Sequence, residues 1–205
     1  MVVKIAVLVS GRGSNLQTII NSIEKGYVKN AEINVVISNK VDAYALERGK
    51  KHGISAIFLD PSRCDNVGYD RKILEVLEQY DIDLVLLAGY FQLLGSEIIE
   101  AYRNRILNIH PSLLPSFKGL HSQRQALEYG VKVTGCTVHF VDEGLDSGPI
   151  VLQRCVPVIH GDTEETLTAR ILEQEHIIYP EAVRLFVEGK LKIEGRNVVL
   201  LIETI

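Results

Sequence analysis

Asn108-Ile109-His110-Pro111 is the stretch of this chain best equipped for chemistry. In an extended strand successive side chains alternate, so Asn108 and His110 share one face while Leu107 and Ile109 take the other. Pro111 biases His110 toward extended backbone and stops the strand. The pair therefore sits at a carboxyl end, where open α/β sheets bind ligands. An amide donor beside an imidazole suits a reaction that builds negative charge on a carbonyl oxygen: Asn108 can donate to the oxyanion, and His110 can donate or carry a proton. No G-x-S-x-G elbow occurs, and Cys64, Cys136 and Cys155 have no local partner pattern, so the substrate's own nucleophile is expected to attack directly.

Val141-Asp142-Glu143-Gly144-Leu145-Asp146-Ser147-Gly148-Pro149 sets three acids among turn residues. A carboxylate from this loop that met His110 would stabilise its imidazolium and fix the ring. Spacing does not say which acid points inward. A second candidate is Ser10-Gly11-Arg12-Gly13-Ser14-Asn15, between a strand-like run and an amphipathic one, where free amides at a helix start favour an anion. Leu16 stands where a dinucleotide fingerprint wants a third glycine, and no GK[ST] follows, so a compact monophosphate fits better than a dinucleotide or a nucleoside triphosphate. The same residues would equally make a tight turn that caps a helix. The six histidines show no metal-ligand spacing, and no metal is expected.

These residues need a frame. Over the first 110 residues, β-branched runs near 2–9, 33–38, 54–59, 82–88 and 105–110 alternate with amphipathic segments, the pattern of parallel strands joined by helical crossovers. Leu16, Ile19, Ile20 and Ile23 recur at helical spacing, and Gly26 ends that helix. Further helices are expected near 43–52, 67–80 and 96–103, the last N-capped by Ser96. After residue 110 a proline-bearing loop leads to a helix near 122–129, strands near 134–141 and 150–158, a long helix over 163–188, and a hairpin from Leu191 to Ile202 turning at Gly195 and Arg196. The expected architecture is one α/β domain spanning 1–205, a doubly wound, mostly parallel sheet with helices on both faces. Within it, 1–103 form a phosphate-binding half and 104–205 a catalytic half.

Composition allows this. A chain of 205 residues, 46% hydrophobic and 23% charged, can bury one sizeable core. Twenty-two basic against 26 acidic residues, with no basic run, argue against a nucleic-acid-wrapping surface. Three cysteines without a CxxC pair fit a reducing cytosol, and the longest uncharged apolar stretch, Leu84 to Leu94, is too short to span a membrane. A soluble cytoplasmic protein, monomer or homodimer, is expected.

Asn108-Ile109-His110-Pro111-Ser112-Leu113-Leu114-Pro115, followed by Gly135-x-Thr137-x-His139-Phe140-Val141 and Leu145-Asp146-x-Gly148-Pro149-Ile150, resembles the formyltransferase family, whose fold is Rossmann-like. Ser10-Gly11-x-Gly13-Ser14-Asn15-Leu16, Leu87-Ala88-Gly89-Tyr90 and Glu175-His176-x-x-Tyr179-Pro180 narrow the likeness to the branch serving purine synthesis, over essentially the whole chain. The resemblance implies transfer of a formyl group from 10-formyltetrahydrofolate, the co-substrate, to the amine of glycinamide ribonucleotide. It assigns catalysis to Asn108, His110 and Asp146, and phosphate binding to the amides of Gly13, Ser14 and Asn15. Glu175 would contact the amine substrate. Phe91, Gln92, Leu93 and Leu94 would recognise the pterin by main chain, with Asn108 and the loop from Val141 also at the folate. Asn66 replaces a basic residue often turned to the folate tail, with Arg63 nearby. Relatives that act on charged tRNA or hydrolyse the same folate carry an extra domain, for which this length leaves no room. A non-catalytic module using only the Gly11–Asn15 turn is the rival of another class.

Overall fold

A computed structural model describes residues 1–201 and divides into two compact units, Met1–Asn108 and the part from Ile109 onward. In the first, β1 (Val3–Val9), β2 (Ala31–Ser38), β3 (Ser55–Phe58), β4 (Leu84–Leu87) and the start of β5 (Ile106–His110) alternate with α1 (Ser14–Glu24), α2 (Tyr44–Lys51), α3 (Asn66–Gln79) and α4 (Ser96–Ala101). The strand order is β3-β2-β1-β4-β5, every pair parallel, with Val7 opposite both Val36 and Leu86. Residues Ile5 to Val9 are wholly buried, as are Leu84 to Leu86. Strands covered on both faces read as continuous apolar runs, and these do. The order runs outward from β1 to β3, then restarts at β4 on the other side of β1. Right-handed crossovers therefore lay α1 and α2 on one face and α3 and α4 on the other, and leave a crevice where the direction reverses. Ser10 and Gly89 stand at that reversal.

Helix α1 buries Leu16, Ile19 and Ile20 against the sheet; truncating either isoleucine to alanine would cost roughly 2 to 5 kcal/mol. Ile23, expected in the same stripe, is only half-buried, while Ser22 is buried and donates to the Ile19 carbonyl at 2.7 Å. Gly26 follows the C-cap Lys25 with φ +72°, as its role at a helix end requires. Ser96 is not the cap of α4: Gly95 is, in extended conformation, and no side chain of its own helix caps it.

In the second unit α5 (Ser122–Tyr129) precedes β6 (Val133–Phe140) and β7 (Ile150–Pro157), and α6 (Glu164–Val187) precedes the hairpin of β8 (Leu191–Glu194) and β9 (Asn197–Leu200). The strand order here is β6-β7-β9-β8; β6 and β7 are antiparallel, and β7 meets β9 in parallel at Ile150 and Asn197. The hairpin turns at Gly195, as the sequence indicates; Ile202, its expected last residue, lies outside the described residues. Helix α6 begins with a reciprocal Thr163–Thr166 capping box and buries Leu167, Ile171, Ile178, Tyr179, Ala182 and Val183. Among the described residues no helix is long and apolar enough to cross a membrane.

Candidate active site

His110 ends β5 and is buried. Its Nε2 donates to the Phe117 carbonyl at 2.9 Å, and its Nδ1 lies 3.3 Å from Asp146 Oδ2. Both neighbours are acceptors, so both ring nitrogens must carry hydrogen for each contact to be a hydrogen bond. The structure thus answers what spacing left open: of the three acids in the loop, Asp146 turns inward. Asp142 is spent on the loop itself, accepting from Gly144 N at 3.1 Å and from the Ser147 hydroxyl, and Glu143 is exposed. Asp146 takes the left-handed conformation, φ +44°, and is 12% exposed. Its Oδ2 also accepts from Gly119 N at 2.8 Å.

A second histidine, which the sequence presents only as a motif letter, faces the same carboxylate. His139 Nε2 lies 3.8 Å from Asp146 Oδ1, and its Nδ1 donates to the Phe140 carbonyl at 2.8 Å. Burial pushes its imidazole below the ordinary histidine range, against the pull of the Phe140 carbonyl and of Asp146. Two residues before it, Thr137 organises the loop after β5: its hydroxyl donates to Ser112 O at 2.7 Å and accepts from Leu114 N at 3.1 Å. Gln153, opposite it on β7, donates to both Thr137 Oγ1 and Leu114 O. The signal available in sequence was two polar residues at strand spacing, Thr137 and His139, inside a run otherwise fit for a core.

Asn108 is half-buried on β5, opposite Leu87 of β4 in register. Glu175 is buried on α6 near Cys136 of β6; burial first, and the Glu175 charge second, push that thiol up to about 12. Val141 follows the end of β6 and is half-buried.

In the first unit, Gly13 is the N-cap of α1 at φ +69°, with no side-chain cap and no acid in the first turn. A Cβ at Gly13 would lie 2.6 Å from Ala45 Cβ, so both conformation and space demand glycine there. Helix α2 braces the turn: Ala45 N donates to Gly11 O at 3.1 Å and Arg48 Nε to Arg12 O at 2.8 Å. Ser14 and Asn15 open the helix. The Phe91–Leu94 segment presents Phe91 and Leu93 to solvent, 64% and 75% exposed, and Gln92 accepts from Asn39 at 3.4 Å. Arg63 pairs with Asp60 at 3.2 Å, and Asn66 opens α3. Among the described residues no group of three or more His, Cys, Asp and Glu is placed to hold a metal.

The chain belongs to the formyl transferase family, whose model matches residues 3–183. Among its relatives, the phosphoribosylglycinamide formyltransferase of Escherichia coli is 46% identical over 190 residues, covering 92% of this chain and 89% of that protein. The trifunctional purine biosynthetic protein adenosine-3 of Homo sapiens is 45% identical over 195 residues, 95% of this chain and 19% of that protein. The crystal structure of glycinamide ribonucleotide transformylase 1 from Symbiobacterium toebii superposes with a TM-score of 0.96 at 53% identity, over 98% of this chain and 94% of that one.

Proposed function

We propose that this chain transfers the formyl group of 10-formyltetrahydrofolate to the amine of glycinamide ribonucleotide, giving formylglycinamide ribonucleotide and tetrahydrofolate in purine synthesis. The observation that carries this reading is the His110–Asp146 contact of 3.3 Å at the end of the strand that also bears Asn108. The neutral amine attacks the formyl carbon and a new N–C bond forms. Asn108 and His110 stabilise the tetrahedral oxyanion. The bond from carbon to folate N10 then breaks, and the proton lost by the amine reaches N10 through water. His110 meets the oxyanion by giving up the Phe117 carbonyl, an exchange favoured because the oxyanion sets a full negative charge against the positively charged ring where the carbonyl offers only a dipole. Asp146 holds the ring and balances its positive charge. The amides of Gly13, Ser14 and Asn15 take the phosphate, Glu175 contacts the amine substrate, and the pterin lies on the main chain of Phe91, Gln92, Leu93 and Leu94, with Val141 beginning the loop beside it.

The test is the absorbance change of 10-formyltetrahydrofolate, followed with and without glycinamide ribonucleotide. A change that requires the amine is expected. A change without it would make the chain a hydrolase, and no change in either arm would leave a binding module.

A further inference from the structure

Ser10 lies between the last residue of β1 and the Gly11–Asn15 turn, and it is buried, 3% exposed. Two hydrogen bonds tie it to the chain beyond β4: its amide donates to the Gly89 carbonyl at 2.9 Å, and its hydroxyl oxygen accepts from Phe91 N at 3.0 Å. The β1–β4 ladder runs as far as Leu8 opposite Leu87, with Ala88 N donating to Leu8 O at 2.9 Å. At Gly89, φ +72°, the backbone turns away, and the serine side chain supplies the acceptor for Phe91 N beyond the bend. The far end of the segment is held independently. Gly95 N donates to the buried Asp70 carboxylate, and a Cβ at Gly95 would lie 2.0 Å from Asp70 Oδ2. The stretch Phe91–Leu94 is thus held at its far end through Gly95 and Asp70 and at its near end by Ser10, the residue just before the Gly11–Asn15 turn.

We propose that Ser10 is a positioning residue that couples the two substrate sites, so that filling the anion turn strengthens pterin binding at Phe91–Leu94 and the reverse. This rests on the site assignments proposed above. A ligand that orders the turn fixes the residue whose hydroxyl holds Phe91 N, and the second ligand then loses less conformational freedom on binding. Linkage requires the effect to be equal in both directions. Its size is bounded by the bond that transmits it, about fivefold for one net hydrogen bond.

The experiment is calorimetric titration of the full chain with tetrahydrofolate, which has no formyl group to give, alone and with saturating glycinamide ribonucleotide, then in the reverse order. In the wild type each ligand should raise the affinity of the other by about fivefold. In Ser10→Ala the ratio should fall to one, and in turnover the loss should appear in the folate KM rather than in kcat. A ratio of one in the wild type when both ligands bind, or an undiminished ratio in Ser10→Ala, overturns the coupling and leaves the site assignments standing. If glycinamide ribonucleotide or tetrahydrofolate fails to bind the wild type at all, the assignments fall and the coupling falls with them.

Discussion

At the scale of residues, one carboxylate organises the candidate centre. Asp146 meets His110 and Gly119 N through Oδ2 and faces His139 through Oδ1. In Asp146→Asn the amide fills the same space and its oxygen can still accept from Gly119 N, so folding and substrate affinities should stay near wild type. The charge opposite His110 Nδ1 is lost, and the positive charge that the ring needs when it serves the oxyanion is then unbalanced. We expect kcat to fall a hundredfold or more, on the order of 3 kcal/mol. Steady-state kinetics, with circular dichroism for folding, check this. A variant that kept more than about a third of wild-type kcat, under roughly 0.7 kcal/mol, would free Asp146 from the role. The Asn108–His110 pair was legible from a period of two. The choice among Asp142, Glu143 and Asp146 was not, because it depends on how the loop folds back: Asp142 closes the loop on itself and so leaves Asp146 to the histidine.

At the scale of elements, the start of α1 is the feature with most to test. A helix whose cap is a left-handed glycine, with no side-chain cap and no acid in its first turn, presents its positive end to whatever anion arrives. Replacing Gly13 would confuse binding with strain, since it has neither room nor permitted φ for a side chain. Ser14→Asp separates them: an acid at the first helical position favours the helix dipole but repels a phosphate. Affinity for glycinamide ribonucleotide should drop at least tenfold, about 1.4 kcal/mol, with tetrahydrofolate affinity changed no more than by loss of the coupling. Unchanged affinity for the ribonucleotide, measured by calorimetry, would put the phosphate elsewhere. The cap of α4 teaches the same lesson from the other side. Ser96 has the right residue type, yet Gly95 is the cap, because buried Asp70, far away in sequence, supplies the acceptor for Gly95 N.

At the scale of the whole molecule, part of the stability that acid removes has an identifiable source. Asp162 accepts both guanidinium nitrogens of Arg170 at 2.8 Å, Ile159 N at 2.7 Å and Thr166 Oγ1 at 2.9 Å, while Arg170 also holds the Pro157 carbonyl at 2.8 Å. The latch ties the end of β7 to the start of α6. Arg170 first, then the Ile159 amide, hold the Asp162 carboxyl well below the usual carboxylate range. Because folding lowers the pKa of this carboxyl, the stabilisation is present above the unfolded value, about 3.9, and is lost as pH falls below it. Asp162→Asn should therefore unfold at lower urea than wild type near neutrality, and the two midpoints should converge as pH falls below about 4. A gap that stays constant from neutrality to low pH would show that Asp162 acts through shape alone.

Local pattern was enough for the strand and helix sequence, the parallel first unit, the Asn108–His110 strand end, the glycine turn that opens α1 and the closing hairpin, because each depends on periodicity or turn chemistry within a few residues. The family resemblance implied roles for Asp146 and Glu175 that no spacing carried, and those roles are the ones proposed above. The resemblance named Asp146 as the partner of His110 and the structure shows the contact; tertiary structure alone decided that His139 faces the same carboxylate, that Phe117 occupies the histidine's other nitrogen, and that Ser10 holds Phe91. Each is a contact between a strand end and a returning loop, whose partner is chosen by the packing of whole elements and leaves no period in the sequence to read.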